Sequence, residues 1–284
     1  MRSETGSWKT ENGLQIYTRT WLPESPIRAG VVLVHGLGEH SGRYTHLASY
    51  LTEHGIAVYS FDLPGHGQSQ GSKGHIPSYA FVSRMLTQFC AAVSKDQPEI
   101  PLILYGHSLG GALVLYHLLT HPDGVNAAVV TSPGLIPANP PSAATLLMAR
   151  LLANILPAGT ISNQLDLTGL SRDPQVVQAY RDDPLTHDRV SFALGLDLIK
   201  KGEWILENAS TLSVPILLMV GSADRLVNPD PVIRFAQASP RYTTLKLWDG
   251  FYHELHNEPE KDAVFQTMLD WILSVINPKS SGGV

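Results

Sequence analysis

The feature that most constrains the fold is a series of short apolar runs: VVLVH (31–35), AVYSF (57–61), LILYG (102–106), AAVVT (127–131), ILLMV (216–220) and TLKLW (244–248). Each is apolar throughout or nearly so, without the alternation of a half-wet strand, which is the pattern of a parallel strand covered on both faces. Between most of them lie segments of helical periodicity, among them THLASYLTEHG (45–55) and YAFVSRMLTQFCAAVSK (79–95). This alternation predicts an α/β fold with a mostly parallel central sheet and helices on both faces, opened by an antiparallel strand around Leu14 to Leu22. One interval breaks the rhythm. From about 134 to 213 the chain carries helical and proline-rich segments but no convincing strand. The expectation is one domain over residues 1–284 with a cap of about 134–213 inserted over the carboxyl edge of the sheet, where ligands of such folds collect.

A chain of 284 residues suits one such unit with an insertion, and 43% hydrophobic residues with 24 glycines suit a large core joined by tight turns. The net charge of −5 provides no basic field, which argues against a nucleic-acid partner. The opening MRSETGSWKTENG has no apolar stretch of a signal peptide, and no apolar run reaches the ~20 residues that span a bilayer, so a cytoplasmic protein is expected. Cys90, the single cysteine, has no partner for an internal disulfide and no acid or base beside it in FVSRMLTQFCAAV, so it reads as inert core. The tail PKSSGGV reads as a flexible end.

Within LILYGHSLGG (102–111), Ser108 falls at a strand-to-helix turn between glycines, the G-x-S-x-G arrangement of a nucleophile elbow. A serine hydroxyl is a poor nucleophile at neutral pH, so it needs an imidazole to take its proton and a carboxylate to orient that imidazole. In this type of fold both partners follow the serine, acid first, each on a loop after a strand. Asp224 follows ILLMV in GSADRLV and His253 follows TLKLW in DGFYHELH, with Asp230 and Asp249 as the alternative acids and His256 as the alternative base. The oxyanion of a tetrahedral intermediate needs backbone donors. The amide of Leu109, directly after the serine, is one candidate, and that of Leu37 in HGLG is the other, although HGLG also reads as a plain glycine turn.

Other chemistries fit poorly. GLGEHS (36–41) has Ser41 where a dinucleotide fingerprint has its third glycine, and GQSQGSK (67–73) lacks the spacing of a phosphate loop. HELH (253–256) lacks the four-residue histidine spacing of a zinc protease helix and has no cysteine partners, so metal catalysis is not expected.

Five motifs, HGLGEHSGRY (35–44), DLPGHGQSQG (62–71), GHSLGG (106–111), GSADRLV (221–227) and YHELHNE (252–258), together resemble the ordered motifs of the monoacylglycerol lipases, a branch of the α/β-hydrolases close to the lysophospholipases. The similarity spans nearly the whole chain. It implies a soluble or peripheral serine hydrolase that releases fatty acid and glycerol from monoacylglycerol, with a mobile apolar cap and no cofactor. It carries the triad onto Ser108, Asp224 and His253 and the oxyanion amides onto Leu37 and Leu109. It further implies that Glu39, Arg43 and His256 recognise the glycerol head, while Glu39 and Arg43 equally suit an ion pair holding the oxyanion loop. The chain departs from the pattern at Leu37, where a smaller residue is common, and at Leu109, where methionine is frequent. Both changes bear on acyl-chain fit.

Within the expected cap, AATLLMARLLANIL (143–156) has only Thr145, Arg150 and Asn154 as polar members, so an acyl chain, a membrane surface or the protein's own core should cover it. SRDPQVVQAYRDDPL (171–185) is similar to the family's returning cap segment and is assigned no chemistry. The same triad would serve a lysophospholipase or a broad carboxylesterase, whereas a peptidase would call for an acidic pocket to hold an amino terminus. A non-catalytic receptor on this fold would be expected only if a triad member were missing, and all three residue types are present.

Overall fold

Five of the six apolar runs form the interior of one sheet, where neither face meets water; the sixth, TLKLW, expected to be covered on both faces, is instead a partly exposed edge strand with Leu247 43% exposed. In a computed structural model that describes residues 1–277, the strands in chain order are β1 (Arg2–Lys9), β2 (Gln15–Leu22), β3 (Ala29–Val34), β4 (Ile56–Phe61), β5 (Leu102–His107), β6 (Ala127–Thr131), β7 (Thr160–Ser162), β8 (Arg189–Ser191), β9 (Ile216–Gly221) and β10 (Thr243–Trp248). The helices are α1 (Thr45–Glu53), α2 (Tyr79–Asp96), α3 (Leu109–Thr120), α4 (Ala143–Ile155), α5 (Pro174–Asp182), α6 (Phe192–Glu207), α7 (Pro229–Ala238) and α8 (Lys261–Ile276). The tail PKSSGGV, expected to be a flexible end, lies outside the described residues.

Eight strands form one sheet in the order β1-β2-β4-β3-β5-β6-β9-β10, with β2 antiparallel to both neighbours and the other pairs parallel. Every residue of β3, β5, β6 and β9 is buried. Successive side chains enter different cores. Val31, Leu33, Ile103, Tyr105, Leu217 and Met219 pack with α1 and α8 on one face. Val32, Val34, Leu102, Leu104, Leu218 and Val220 pack with α2, α3, α6 and α7 on the other. This is the two-faced layering that the alternation predicts. Cys90 lies in the second core, where burial pushes its thiol up to about 12, so it is an unreactive apolar side chain.

Three strands carry no clear mark in the sequence. β1 is exposed along most of its length and is held by backbone pairing to β2 from Arg2↔Leu22 to Lys9↔Gln15, so it needs no apolar alternation. Within the interval read as strandless, β7 and β8 pair from Thr160↔Ser191 to Ser162↔Arg189, and three residues are too few to show a period. Between β6 and β9 the chain leaves the sheet, and its segments differ in burial. α6 sends Leu194 and Ile205 into the main core. α4 buries none of its residues; Leu147 and Ile155 are 58% and 81% exposed. Among the described residues no helix is long and apolar enough to cross a membrane.

Candidate functional site: a serine, histidine and aspartate at the sheet's carboxyl edge

β5 ends at His107 and α3 begins at Leu109, leaving Ser108 between them at φ 53° and ψ −118°, a conformation that a side chain rarely adopts. The serine itself therefore makes the sharp bend. Its neighbouring glycines serve a different need, which is close approach: a β-carbon on Gly106 would lie 2.5 Å from the Gly110 carbonyl oxygen, and one on Gly110 would lie 2.1 Å from that of Val34. Strand and helix can touch only because both positions are glycine.

Asp224 follows β9 and His253 follows β10, so parallel neighbours deliver both to the edge where Ser108 stands. His253 Nε2 lies 2.9 Å from Ser108 Oγ, and its Nδ1 lies 2.8 Å from Asp224 Oδ2. The second carboxylate oxygen of Asp224 accepts from the amides of Leu226 and Val227 at 2.8 and 3.0 Å, which fixes its plane. Burial disfavours the imidazolium of His253, but the facing Asp224 carboxylate and its hydrogen bond outweigh that and hold the pKa above the ordinary value. Burial likewise works against the Asp224 carboxylate, yet His253 and the two amides leave its pKa below the usual one. Burial pushes the adjacent His107 down to about 4, so that ring stays neutral beside the triad. Asp230 and Asp249, the alternative acids, are exposed and lie outside this chain of bonds. An imidazole held in this way can take the proton of Ser108 Oγ and return it to a leaving group.

Leu37 and Leu109 line the cavity beside Ser108 and His253. Leu109 opens α3, so its N–H has no carbonyl within the helix to bond and stands at the positive end of the helix dipole. The Gly36–Leu37 peptide is held from its other side: His35 Nδ1 donates to the Gly36 carbonyl at 2.8 Å, while its Nε2 accepts from the Leu63 amide at 2.9 Å. Because the peptide is planar, fixing that carbonyl sets the direction of the Leu37 N–H.

Glu39, Arg43 and His256 are elsewhere. Arg43 bonds Glu39 Oε2 at 2.7 Å and forks onto both oxygens of Glu254 at 2.6 and 2.8 Å. Glu39 Oε1 also accepts from the Gly36 amide at 2.6 Å and the Tyr44 hydroxyl at 2.7 Å. His256 is fully buried, stacked on Tyr44 at 4.6 Å, and neither ring nitrogen has a partner. None of the three lines the cavity. The guanidinium is shared by two buried carboxylates and Glu39 is taken up by three donors, so of the two readings of Glu39 and Arg43 the structure shows the ion pair holding the oxyanion loop, and none of the three residues stands at the wall where a glycerol head was expected. The arrangement is an ion-pair brace between the oxyanion loop and Glu254, next to the base. Burial opposes both carboxylates, but the Arg43 charge leaves Glu39 and Glu254 ionised below the usual range.

The cavity has a volume of about 580 Å³ and a mostly apolar wall built by Leu37, Leu109, Pro137, Leu146, Leu198 and Val227, among others. Its polar side chains apart from Ser108 and His253 are neutral: Asn139, Thr145, Ser162, Asn163 and Gln164. No Asp, Glu, Lys or Arg is among the lining residues. Among the described residues no group of three or more His, Cys, Asp or Glu is placed to hold a metal ion.

Sequence reasoning missed the contacts that the segment 166–191 makes with the loops of the site. Leu170 accepts from the Glu254 amide at 2.8 Å, Arg225 beside Asp224 pairs with Asp166, and Tyr180 reaches Gly38 at 2.9 Å. These partners are far apart in the chain, so no local pattern announces them. Only the Tyr within SRDPQVVQAYRDDPL, an aromatic on a strongly amphipathic short helix, hints at burial.

Comparison with known proteins places this geometry in context. The family described as serine aminopeptidase, S33 matches residues 25–260. An uncharacterised abhydrolase domain-containing protein of Dictyostelium discoideum is 37% identical over 96% of this chain, which spans 29% of that longer protein. The monoglyceride lipase of Rattus norvegicus is 36% identical, over 92% of this chain and 88% of its own length. The crystal structure of a Paleococcus ferrophilus monoacylglycerol lipase is similar at a TM-score of 0.85 and 35% identity, covering 92% of this chain and 99% of that one.

Proposed function

We propose, from the premise that the chain belongs to the serine aminopeptidase S33 family of α/β-hydrolases and within it to the monoglyceride lipases, that it hydrolyses monoacylglycerols to fatty acid and glycerol through an acyl-enzyme on Ser108. The observation that carries this reading is the unbroken hydrogen-bonded series Asp224–His253–Ser108 opening onto an apolar cavity with only neutral polar side chains. A lysophospholipid would bring a phosphate into a wall that offers it no Lys or Arg. A peptide would bring an ammonium to a wall without a carboxylate. A monoacylglycerol brings an apolar chain and two hydroxyls, which such a wall can satisfy.

The ester carbonyl lies against Ser108 with its oxygen toward the amides of Leu37 and Leu109. Ser108 Oγ bonds to the carbonyl carbon as His253 Nε2 takes its proton, and the imidazolium is stabilised by Asp224. The C–O bond to glycerol then breaks and that oxygen leaves with the proton from His253. Water attacks the acyl carbon, giving its proton to the same imidazole, and Ser108 recovers its proton as the fatty acid departs. The two amides stabilise the oxyanion in both halves, each contributing about 3 kcal/mol in comparable enzymes.

Residues of about 134–213 serve as the cap. α4 supports a contact with a lipid surface: Thr145, Leu146 and Ala149 line the cavity while Leu147, Met148, Leu151 and Ile155 face outward. An apolar patch at the mouth of a lipid site is placed to meet the aggregate that holds the substrate. Intact mass after reaction with a fluorophosphonate tests the nucleophile. One adduct that maps to Ser108 and disappears in Ser108→Ala is expected, and a site elsewhere would overturn the assignment.

A further inference from the structure

The oxyanion loop is held on its core side by His35 and Glu39, and on its outer side by two donors from the insertion. The Tyr180 hydroxyl and the His187 amide both donate to the Gly38 carbonyl, each at 2.9 Å. A β-carbon on Gly38, whose φ is +75°, would lie 2.2 Å from the His187 carbonyl oxygen and 2.9 Å from the Tyr180 hydroxyl. Loop and insertion can meet this closely only at a glycine. The same two segments join again where His40 Nε2 donates to Asp183 at 2.8 Å and where the Arg43 guanidinium lies 4.8 Å from the centre of the Tyr180 ring. Tyr180 itself is 7% exposed and packs with Leu170 and Leu226, the latter two residues from Asp224.

We infer that Tyr180 is a positioning residue: from the insertion its hydroxyl, with the His187 amide, fixes the Gly38 carbonyl and so completes the loop that aims the Leu37 N–H. This rests on the reading that the Leu37 amide is an oxyanion donor. A carbonyl accepts two such bonds at once, and with both made the loop has one orientation on each side of Leu37. The hole is then fully formed only while residues 180–187 are docked, so the insertion contributes to the chemical step as well as to the cavity wall.

Tyr180→Phe removes the hydroxyl and keeps the ring that packs with Leu170 and stacks with Arg43. It should lower kcat by about tenfold with KM unchanged, and weaken inhibition by a trifluoromethyl ketone by the same factor as kcat/KM falls. Its melting temperature reports whether the fold is intact. In parallel, Leu37 is replaced by its α-hydroxy acid, which puts an ester oxygen where the N–H was and leaves the side chain untouched. Losses in both proteins support the inference. A loss with the ester and none with Tyr180→Phe overturns the role of Tyr180 and leaves the oxyanion reading standing. No loss with the ester overturns the oxyanion reading and this inference with it. A rise in KM alone for Tyr180→Phe assigns the hydroxyl to substrate contact and overturns positioning.

Discussion

The imidazole of His253 and the carboxylate of Asp224 meet at 2.8 Å with both side chains almost wholly buried, and this contact decides where the proton of the site can go. Nδ1 keeps its hydrogen on the aspartate, so Nε2 is left to accept from Ser108. Asp224→Asn should lower kcat by about 10⁴-fold. The sign of the pH effect follows from the same contact. The carboxylate raises the His253 pKa, so kcat/KM should rise with pH through a midpoint above 6.5 as the imidazolium loses its proton. In the Asn variant the main opposition to burial is gone, leaving only the more distant charges of Glu254 and Glu39, and the midpoint should move down; a pH–rate profile of both proteins checks it, and an unmoved midpoint contradicts it.

Arg43 is the cation shared by two carboxylates that are each 2% exposed. Arg43→Ala leaves both uncompensated and should destabilise the protein by about 3–5 kcal/mol at neutral pH. In the wild type the depressed pKa values of Glu39 and Glu254 contribute stability that is fully present above the usual carboxylate range and is lost as pH falls below it toward the depressed values. Without Arg43 the two values rise, so the variant should recover stability on acidification from pH 7 toward 5. Urea titrations at several pH values measure both slopes, and parallel slopes would count against the brace.

Gly195 stands on the cavity wall within α6, and a β-carbon there would meet nothing closer than 4.0 Å. That open space is room for substrate. Gly195→Leu should fill it and lower kcat/KM for long-chain monoacylglycerols by about tenfold or more, while short chains are cleaved as before. Equal losses across a chain-length series would mean that the acyl chain runs elsewhere.

Leu147 and Leu151 face outward on α4 and are 58% and 52% exposed. Changing both to Glu should weaken partitioning onto phospholipid vesicles by about tenfold or more, and leave hydrolysis of a dispersed short-chain ester unchanged. Vesicle co-sedimentation reads the first quantity. Unchanged sedimentation removes the lipid-surface role of α4.

The sheet was legible because its inner strands are buried on both faces, so β3, β5, β6 and β9 write themselves as apolar runs, whereas β1 is held mainly by backbone pairing, with only Trp8 packed on the core, and shows no apolar run. Ser108 and Asp224 were legible for a related reason, since each follows such a run, whereas His253 follows the partly exposed edge strand β10; the sheet order brings the three ends together. For Glu39 and Arg43 the sequence left two readings open, a glycerol contact and an ion pair, and the structure shows the ion pair; Glu254 as its second carboxylate and the burial of His256 were not legible, because a sequence that offers charge to a ligand reads the same as one that spends it on Glu254. The bond from Tyr180 to Gly38 joins positions with nothing in common along the chain, and it becomes visible only when the loop and the insertion are seen in contact.

The most direct test is a panel of initial rates on monoacylglycerols, lysophospholipids, p-nitrophenyl esters and triacylglycerols of matched chain length, with Ser108→Ala as the blank. A neutral cavity behind a Ser108–His253–Asp224 triad predicts a clear preference for monoacylglycerols, abolished in the blank. Equal rates on simple esters, a preference for lysophospholipids, or activity that survives Ser108→Ala would contradict it.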